Sequence, residues 1–258
     1  MTAITFTERF TAAKAAGRKL LVPYITGGYP GWADAVRAAA ANGADAIELG
    51  IPFSDPVMDG PVIQQASQVA LDGGAIPPAI IDEAAKLDVG IPLGVMTYYN
   101  IVHHDGHRRF AGRLVAAGIS GCILPDLPLE ESRPWTESAD HEGVETIMLA
   151  APTGSDERLA RVAERARGFV YSVGLLGVTG ERSELAATAT ATAARVMRLT
   201  DKPVLVGVGV SNAEQAREAC AVADGVVQGA SVVRRLMEGG PDAVGDYVAE
   251  VRAAIDAG

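Results

Sequence analysis

The sequence predicts an α/β fold, a single (β/α)8 TIM barrel spanning residues 1–258, with an extra helix ahead of the first strand. Three observations predict it. Short apolar, mostly β-branched runs alternate with longer helix-like runs, giving eight strand–helix units. Such runs suit parallel strands whose outer faces are covered by helices. No linker rich in Ser, Gly or charge divides the chain, and 258 residues with 48% hydrophobic side chains suit one large core.

The expected strands are Leu20–Thr26, Asp45–Gly50, Ile91–Tyr98, Gly121–Pro125, Glu145–Ala150, Gly168–Val173, Pro203–Val208 and Gly225–Gln228. Helix-like stretches between them include Trp32–Ala41, Asp105–Ala117, Asp156–Ala166, Ser183–Leu199 and Asn212–Ala221. The last is introduced by Ser211 with Glu214 three residues on, the pattern of a capping box. The amphipathic stretch Thr5–Ala16 precedes the first strand and is placed to close the bottom of a barrel. A doubly wound open sheet would want GxGxxG after its first strand. Here that strand runs into Thr26-Gly27-Gly28-Tyr29-Pro30.

The net charge is −10. Nucleic-acid binding needs a cationic stripe, and the densest basic run, Arg158 to Arg167, is interleaved with Glu157 and Glu164 like a solvated helix face. Any phosphate site must therefore be local. Cys122 and Cys220 are far apart and lack a CxxC partner, so both read as reduced, buried thiols. The first 19 residues lack the apolar core of a signal peptide, and no run approaches the ~18 apolar residues of a spanning helix. The expected compartment is the cytoplasm, with no membrane partner.

Barrel active sites lie at the C-terminal ends of the strands. In the second strand, Ile47 and Leu49 share one face and Ala46, Glu48 and Gly50 the other. That aims Glu48 into the barrel, where it is either a general acid with a raised pKa or a structural carboxylate bound to a neighbouring strand. The loop that follows carries Asp55, Asp59 and the prolines Pro52, Pro56 and Pro61, which restrict its shape. Asp59 also stands where a helix cap would. Asp126 ends the fourth strand. Tyr171 is in phase with Phe169 and Val173, on a face that fits either the site or the core. Glycine clusters follow strands six, seven and eight: Gly177–Gly180, Gly207–Gly209 and Gly229. Barrels bind phosphate through backbone N–H groups in the last two of these loops, beside a helix N-terminus. His103, His104, Asp105 and His107 share one polar loop without a fourth ligand elsewhere, and no metal is expected there.

The segment Glu48-Leu49-Gly50-Ile51-Pro52-Phe53-Ser54-Asp55-Pro56-Val57-Met58-Asp59-Gly60-Pro61 resembles the signature of the tryptophan synthase alpha subunit family. Leu21–Pro30, Tyr98-Tyr99-Asn100, Leu124–Pro128 with Glu130-Glu131, and Gly177-Val178-Thr179-Gly180 match in order, so the likeness spans nearly the whole chain. The resemblance implies a carbon–carbon lyase that cleaves indole-3-glycerol phosphate to indole and glyceraldehyde 3-phosphate. It implies catalytic roles for Glu48, Asp59 and Tyr171, and phosphate binding at Gly180, Gly209, Gly229 and Ala230. It implies a substrate pocket near Leu21, Met96, Tyr98, Leu124 and Thr179. It further implies an interface at Pro52 and Asp55 with a beta subunit in a heterotetramer of two alpha and two beta subunits. No cofactor is expected on this chain; pyridoxal phosphate is expected only on the beta partner. Two places depart from the family pattern: Ala230 follows Gly229 where Ser is common, and Gly174-Leu175-Leu176 is more apolar than usual. A stand-alone lyase releasing free indole shares every catalytic residue. A non-catalytic allosteric barrel would have no use for Glu48, Asp59 and Tyr171 together, and another sugar-phosphate barrel would leave the strand-two motif unexplained.

Overall fold

A computed structural model describes residues 4–174, 187–207 and 209–257. Their strands form a closed parallel barrel in sequence order. The strands are β1 (Leu20–Thr26), β2 (Ile47–Gly50), β3 (Leu93–Met96), β4 (Gly121–Ile123), β5 (Glu145–Ala150), β6 (Val170–Ser172), β7 (Val204–Val206) and β8 (Gly225–Gln228). The helices are α1 (Phe6–Ala15), α2 (Trp32–Ala41), α3 (Pro61–Asp72), α4 (Pro77–Ala84), α5 (Tyr99–Asp105), α6 (His107–Ala116), α7 (Arg133–Glu142), α8 (Asp156–Arg165), α9 (Ala187–Met197), α10 (Ala213–Cys220) and α11 (Ala230–Asp256). α11 is broken at Gly240, which precedes Pro241 and has a positive φ of 73°.

Strand alternation sorts the core into two layers. Leu21, Ile25, Ile47, Leu49, Val95 and Val226 pack outward under the helices. Leu20, Val22, Ala46, Ile123, Tyr171, Leu205 and Val227 pack inside. α1 closes the bottom as expected. Thr5 and Glu8 form a capping box at its start, and the Glu145 carboxylate of β5 accepts from the Phe6 and Thr7 amides at 2.7 and 3.0 Å. First-turn amides have no partner within their own helix, so this contact ties α1 to the barrel rim. Phe6 and Phe10 stack edge-on at 5.3 Å and both lie against Phe169.

A buried carboxylate joins the two ends of the barrel chain. Asp45 is 0% exposed and accepts from Leu21 N (3.0 Å), Arg18 Nε (2.9 Å) and Arg252 Nη1 (3.1 Å). Arg252, on α11, also holds the Lys19 carbonyl and the Asp256 carboxylate. Both cysteines are buried, separate thiols.

Three local expectations are corrected. The α10 cap is Asn212, not Ser211: its Oδ1 accepts from Gln215 N at 2.9 Å. Gln215, not Glu214, returns the bond, taking Ser211 N at 2.7 Å, because Gln215 points inward and Glu214 points to solvent. The histidine group sits on two helices rather than in a loop. His103 and His104 lie in the last turn of α5, Gly106 makes the break at φ 90°, and His107 opens α6. The third strand is shorter than expected, because Thr97 and Tyr98 already lead into α5.

Candidate active site

Glu48 lies in the middle of β2, paired with Tyr24 on β1 and Gly94 on β3. Partners in a parallel register project to the same face, so Glu48 and Tyr24 enter the barrel together. Glu48 is 1% exposed and its Oε2 has no hydrogen-bond partner. A structural carboxylate in that position would be paired, so an idle oxygen favours a chemical role. Burial first, and the charge of Asp59 second, push the Glu48 carboxyl up to about 8.

Asp59 sits in the loop between β2 and α3. The N-cap of α3 is Gly60, with Pro61 in the first turn, so Asp59 is free of the capping duty its position allowed. Partial burial pushes its carboxyl up to about 6, while a hydrogen bond with Tyr98 pulls the other way. The Tyr98 hydroxyl also accepts from Met58 N at 3.0 Å, and its ring lies 5.1 Å from that of Phe53. Tyr98 thus holds the loop against the mouth of the barrel. At neutral pH the arrangement offers a protonated Glu48 and an ionised Asp59: one acid and one anion, separated by environment alone.

Two tyrosines lie near Glu48 inside the barrel, Tyr24 on the neighbouring strand β1 and Tyr171 on β6. Tyr171 on β6 stacks on Phe169, and its hydroxyl lies 3.4 Å from the Gly207 carbonyl. A Cβ on Gly207 would overlap the Tyr171 ring, and a Cβ on Gly50 would overlap the Tyr24 hydroxyl. Each ring therefore lies across the glycine of the next strand. Burial raises both phenols, with the charge of Asp59 next at Tyr24 and that of Glu48 next at Tyr171, so both stay protonated donors at neutral pH. Sequence reasoning misses Tyr24. Its signal is weak: Tyr24 shares the parity of Leu20 and Val22, but both faces of that strand are apolar.

Of the expected pocket lining, Met96 and Tyr98 join the interior side; Leu21 and Leu124 do not. Leu21 and Leu124 belong to the outer layer under the helices, whereas the neighbouring Ile123 faces inside. At the C-terminal ends of β4 to β6 a cavity of about 180 Å³ is lined in part by Met58, Asp126, Met148, Leu149 and Val173. Asp126 serves largely as a cap: its carboxylate accepts from Tyr99 N, the first amide of α5, at 2.9 and 3.1 Å.

The last two strands end in the expected glycines. Gly209 has φ 89°, a conformation that a side chain would strain, and Gly229 leads directly into Ala230, the first residue of α11. These loops bring backbone amides and a helix N-terminus to the same rim. Ser231, one place beyond Ala230, is buried at 2% exposure. Thr179 and Gly180, with Leu175 and Leu176, lie outside the described residues. Asp55 is exposed at the loop tip, with the Ser54 hydroxyl on its carboxylate at 2.6 Å, whereas Pro52 is buried by its own chain. His103 and His107 stack with Tyr99 and Trp135, and among the described residues no group of three His, Cys, Asp or Glu is placed to hold a metal ion.

A family model described as "Tryptophan synthase alpha chain" matches residues 10–254. A tryptophan synthase alpha chain from Streptomyces coelicolor is 45% identical over 244 residues, covering 92% of this chain and 90% of that one. One from Thermobifida fusca is 43% identical over 263 residues, covering 97% of each. Among solved structures, a Mycobacterium tuberculosis tryptophan synthase chain superimposes with a TM-score of 0.91 at 36% identity, covering 98% of both chains. The tryptophan synthase subunit alpha of Legionella pneumophila gives 0.89 at 30% identity, covering 99% of this chain and 100% of that one.

Proposed function

This chain belongs to the tryptophan synthase alpha chain family, and from that premise we propose that Glu48 and Asp59 divide its chemistry between an acid and an anion. The activity is that of a carbon–carbon lyase in tryptophan biosynthesis, cleaving indole-3-glycerol phosphate to indole and glyceraldehyde 3-phosphate. Indole leaves poorly until its C3 carries a proton. The protonated Glu48 supplies that proton, the C3–C bond then breaks, and Glu48 recovers a proton from the side-chain hydroxyl that becomes the aldehyde. The proton count balances within one residue. Asp59 accepts a hydrogen bond from the indole N–H and stabilises the positive charge that C3 protonation places on the ring. Each role is worth roughly 10²–10⁴ in rate on general grounds. Tyr171 lines the site beside them. The backbone amides around Gly180, Gly209, Gly229 and Ala230 hold the phosphate, which is how a chain of net charge −10 binds an anion. Organic cofactor and metal have no part in these steps.

The observation that carries the reading is the buried, half-unpaired Glu48 beside a second carboxyl that ionises more easily. The test is Glu48→Gln. Release of glyceraldehyde 3-phosphate should fall by at least about a hundredfold, while affinity for a phosphate-bearing ligand is kept. Normal turnover by this variant would remove Glu48 from the mechanism.

The reading extends to a cytoplasmic protein, one barrel domain over 1–258, working with a beta subunit that carries pyridoxal phosphate, in a heterotetramer of two subunits of each kind. Val57, 67% exposed beside Asp55 and Pro56 at the loop tip, supplies apolar surface for that partner to cover. Among the described residues no helix is long and apolar enough to cross a membrane. Cleavage measured with and without a beta subunit separates this reading from a stand-alone lyase, whose rate the partner would leave unchanged.

A further inference from the structure

Beyond the barrel wall, behind the loops that follow β7 and β8, lies a polar chain that the mechanism does not use. Gln228, the last residue of β8, is 1% exposed and points outward to α11. Its Nε2 donates to the Tyr247 hydroxyl at 3.0 Å, and that hydroxyl donates to the Ser211 carbonyl at 3.1 Å. Tyr247 lies on α11 beyond its break, is 3% exposed, and carries the Arg235 guanidinium over its ring at 5.0 Å. Ser211 is in turn tied to α10 through Gln215.

The placement matters because the β7–β8 ladder ends early. Its pairs are Leu205↔Gly225 and Val206↔Val226. Among the described residues no further pair sets the distance between the two chains, and Gly209 and Gly229 each come three residues later. One hydroxyl joins a residue two places from Gly209 to the residue next to Gly229. A phosphate gripped by amides from both loops needs their separation held to within a fraction of an ångström.

We propose that Tyr247 is a positioning residue for phosphate recognition, bracing the two anion-binding loops from behind without touching the substrate; this rests on the phosphate reading above. Tyr247→Phe keeps the ring and its packing but removes the hydroxyl that the Gln228 amide and the Ser211 carbonyl share. The KM for indole-3-glycerol phosphate should rise about three- to tenfold, what one or two unmade buried hydrogen bonds are worth, with a smaller fall in kcat. Glycerol 3-phosphate should lose inhibitory potency by the same factor, while dephosphorylated indole-3-glycerol should bind as before. Gln228→Leu, which removes the other donor, should repeat the pattern and guards against a fold defect particular to one variant. Gly209→Ala, run in parallel, tests the phosphate site itself. If Gly209→Ala weakens glycerol 3-phosphate and neither Tyr247→Phe nor Gln228→Leu does, the brace is refuted and the site stands. If all three leave it unchanged, the site fails and the brace with it. An equal loss for phosphorylated and dephosphorylated ligands marks a general structural role and also refutes the proposal.

Discussion

Glu48→Gln should make the protein inactive and, at alkaline pH, more stable. A carboxyl that ionises near 4.5 in the unfolded chain and near 8 in the fold stays protonated on folding. Between those values the unfolded chain has released a proton that the folded chain retains. Folding then takes up a proton, and stability falls as pH rises. The sign follows from the raised value: the penalty is absent below about 4.5 and complete above about 8. At about 1.4 kcal/mol per pH unit it reaches roughly 5 kcal/mol in all. Glutamine cannot ionise and escapes it. Its buried amide carries a cost of its own, about 1–3 kcal/mol, but that cost does not depend on pH. The signature is therefore the slope. Urea denaturation of both proteins at pH 5, 7 and 8.5 should show the variant gaining on the wild type by several kcal/mol across the series. A stability difference that stays constant with pH would mean that Glu48 is already ionised in the fold, and the acid–anion division would collapse.

The same division sets the activity profile. kcat/KM should rise through about pH 6 as Asp59 ionises and fall through about pH 8 as Glu48 loses its proton; a profile flat from pH 5 to 9 contradicts it. Tyr98→Phe removes the hydrogen bond that lowers Asp59, so the acid limb should move upward, and with Met58 N released kcat/KM should drop about tenfold; steady-state rates across pH report both. Asp45→Ala takes from the nearly buried Arg252 its one buried carboxylate, leaving it the exposed Asp256, and should cost about 3–5 kcal/mol in chemical denaturation, whereas a cost below ~1 kcal/mol would show that water replaces it. Gly207→Ala should displace the Tyr171 ring, costing about 1–3 kcal/mol and reducing kcat more than a variant of an outward-facing residue does.

Much of this molecule is legible in its amino-acid sequence alone. The eight apolar runs determine the barrel, because parallel strands covered by helices need that composition and the connections allow few other arrangements. The alternation Ala46-Ile47-Glu48-Leu49-Gly50 determines that Glu48 faces inward, because one charged residue among apolar neighbours marks its face. Where both faces are apolar the alternation is silent, and only the closed barrel decides. Leu21 and Leu124 face the helices while Tyr24 and Ile123 face the interior. Neither hydrophobicity nor spacing distinguishes the two sides of a strand buried on both. The cap on α10 depends on which of Glu214 and Gln215 turns inward. The acid and the anion are the clearest case. Both are ordinary carboxyls in the sequence, eleven positions apart. What separates their ionisation is how much water each has lost, and burial is a property of the folded barrel alone.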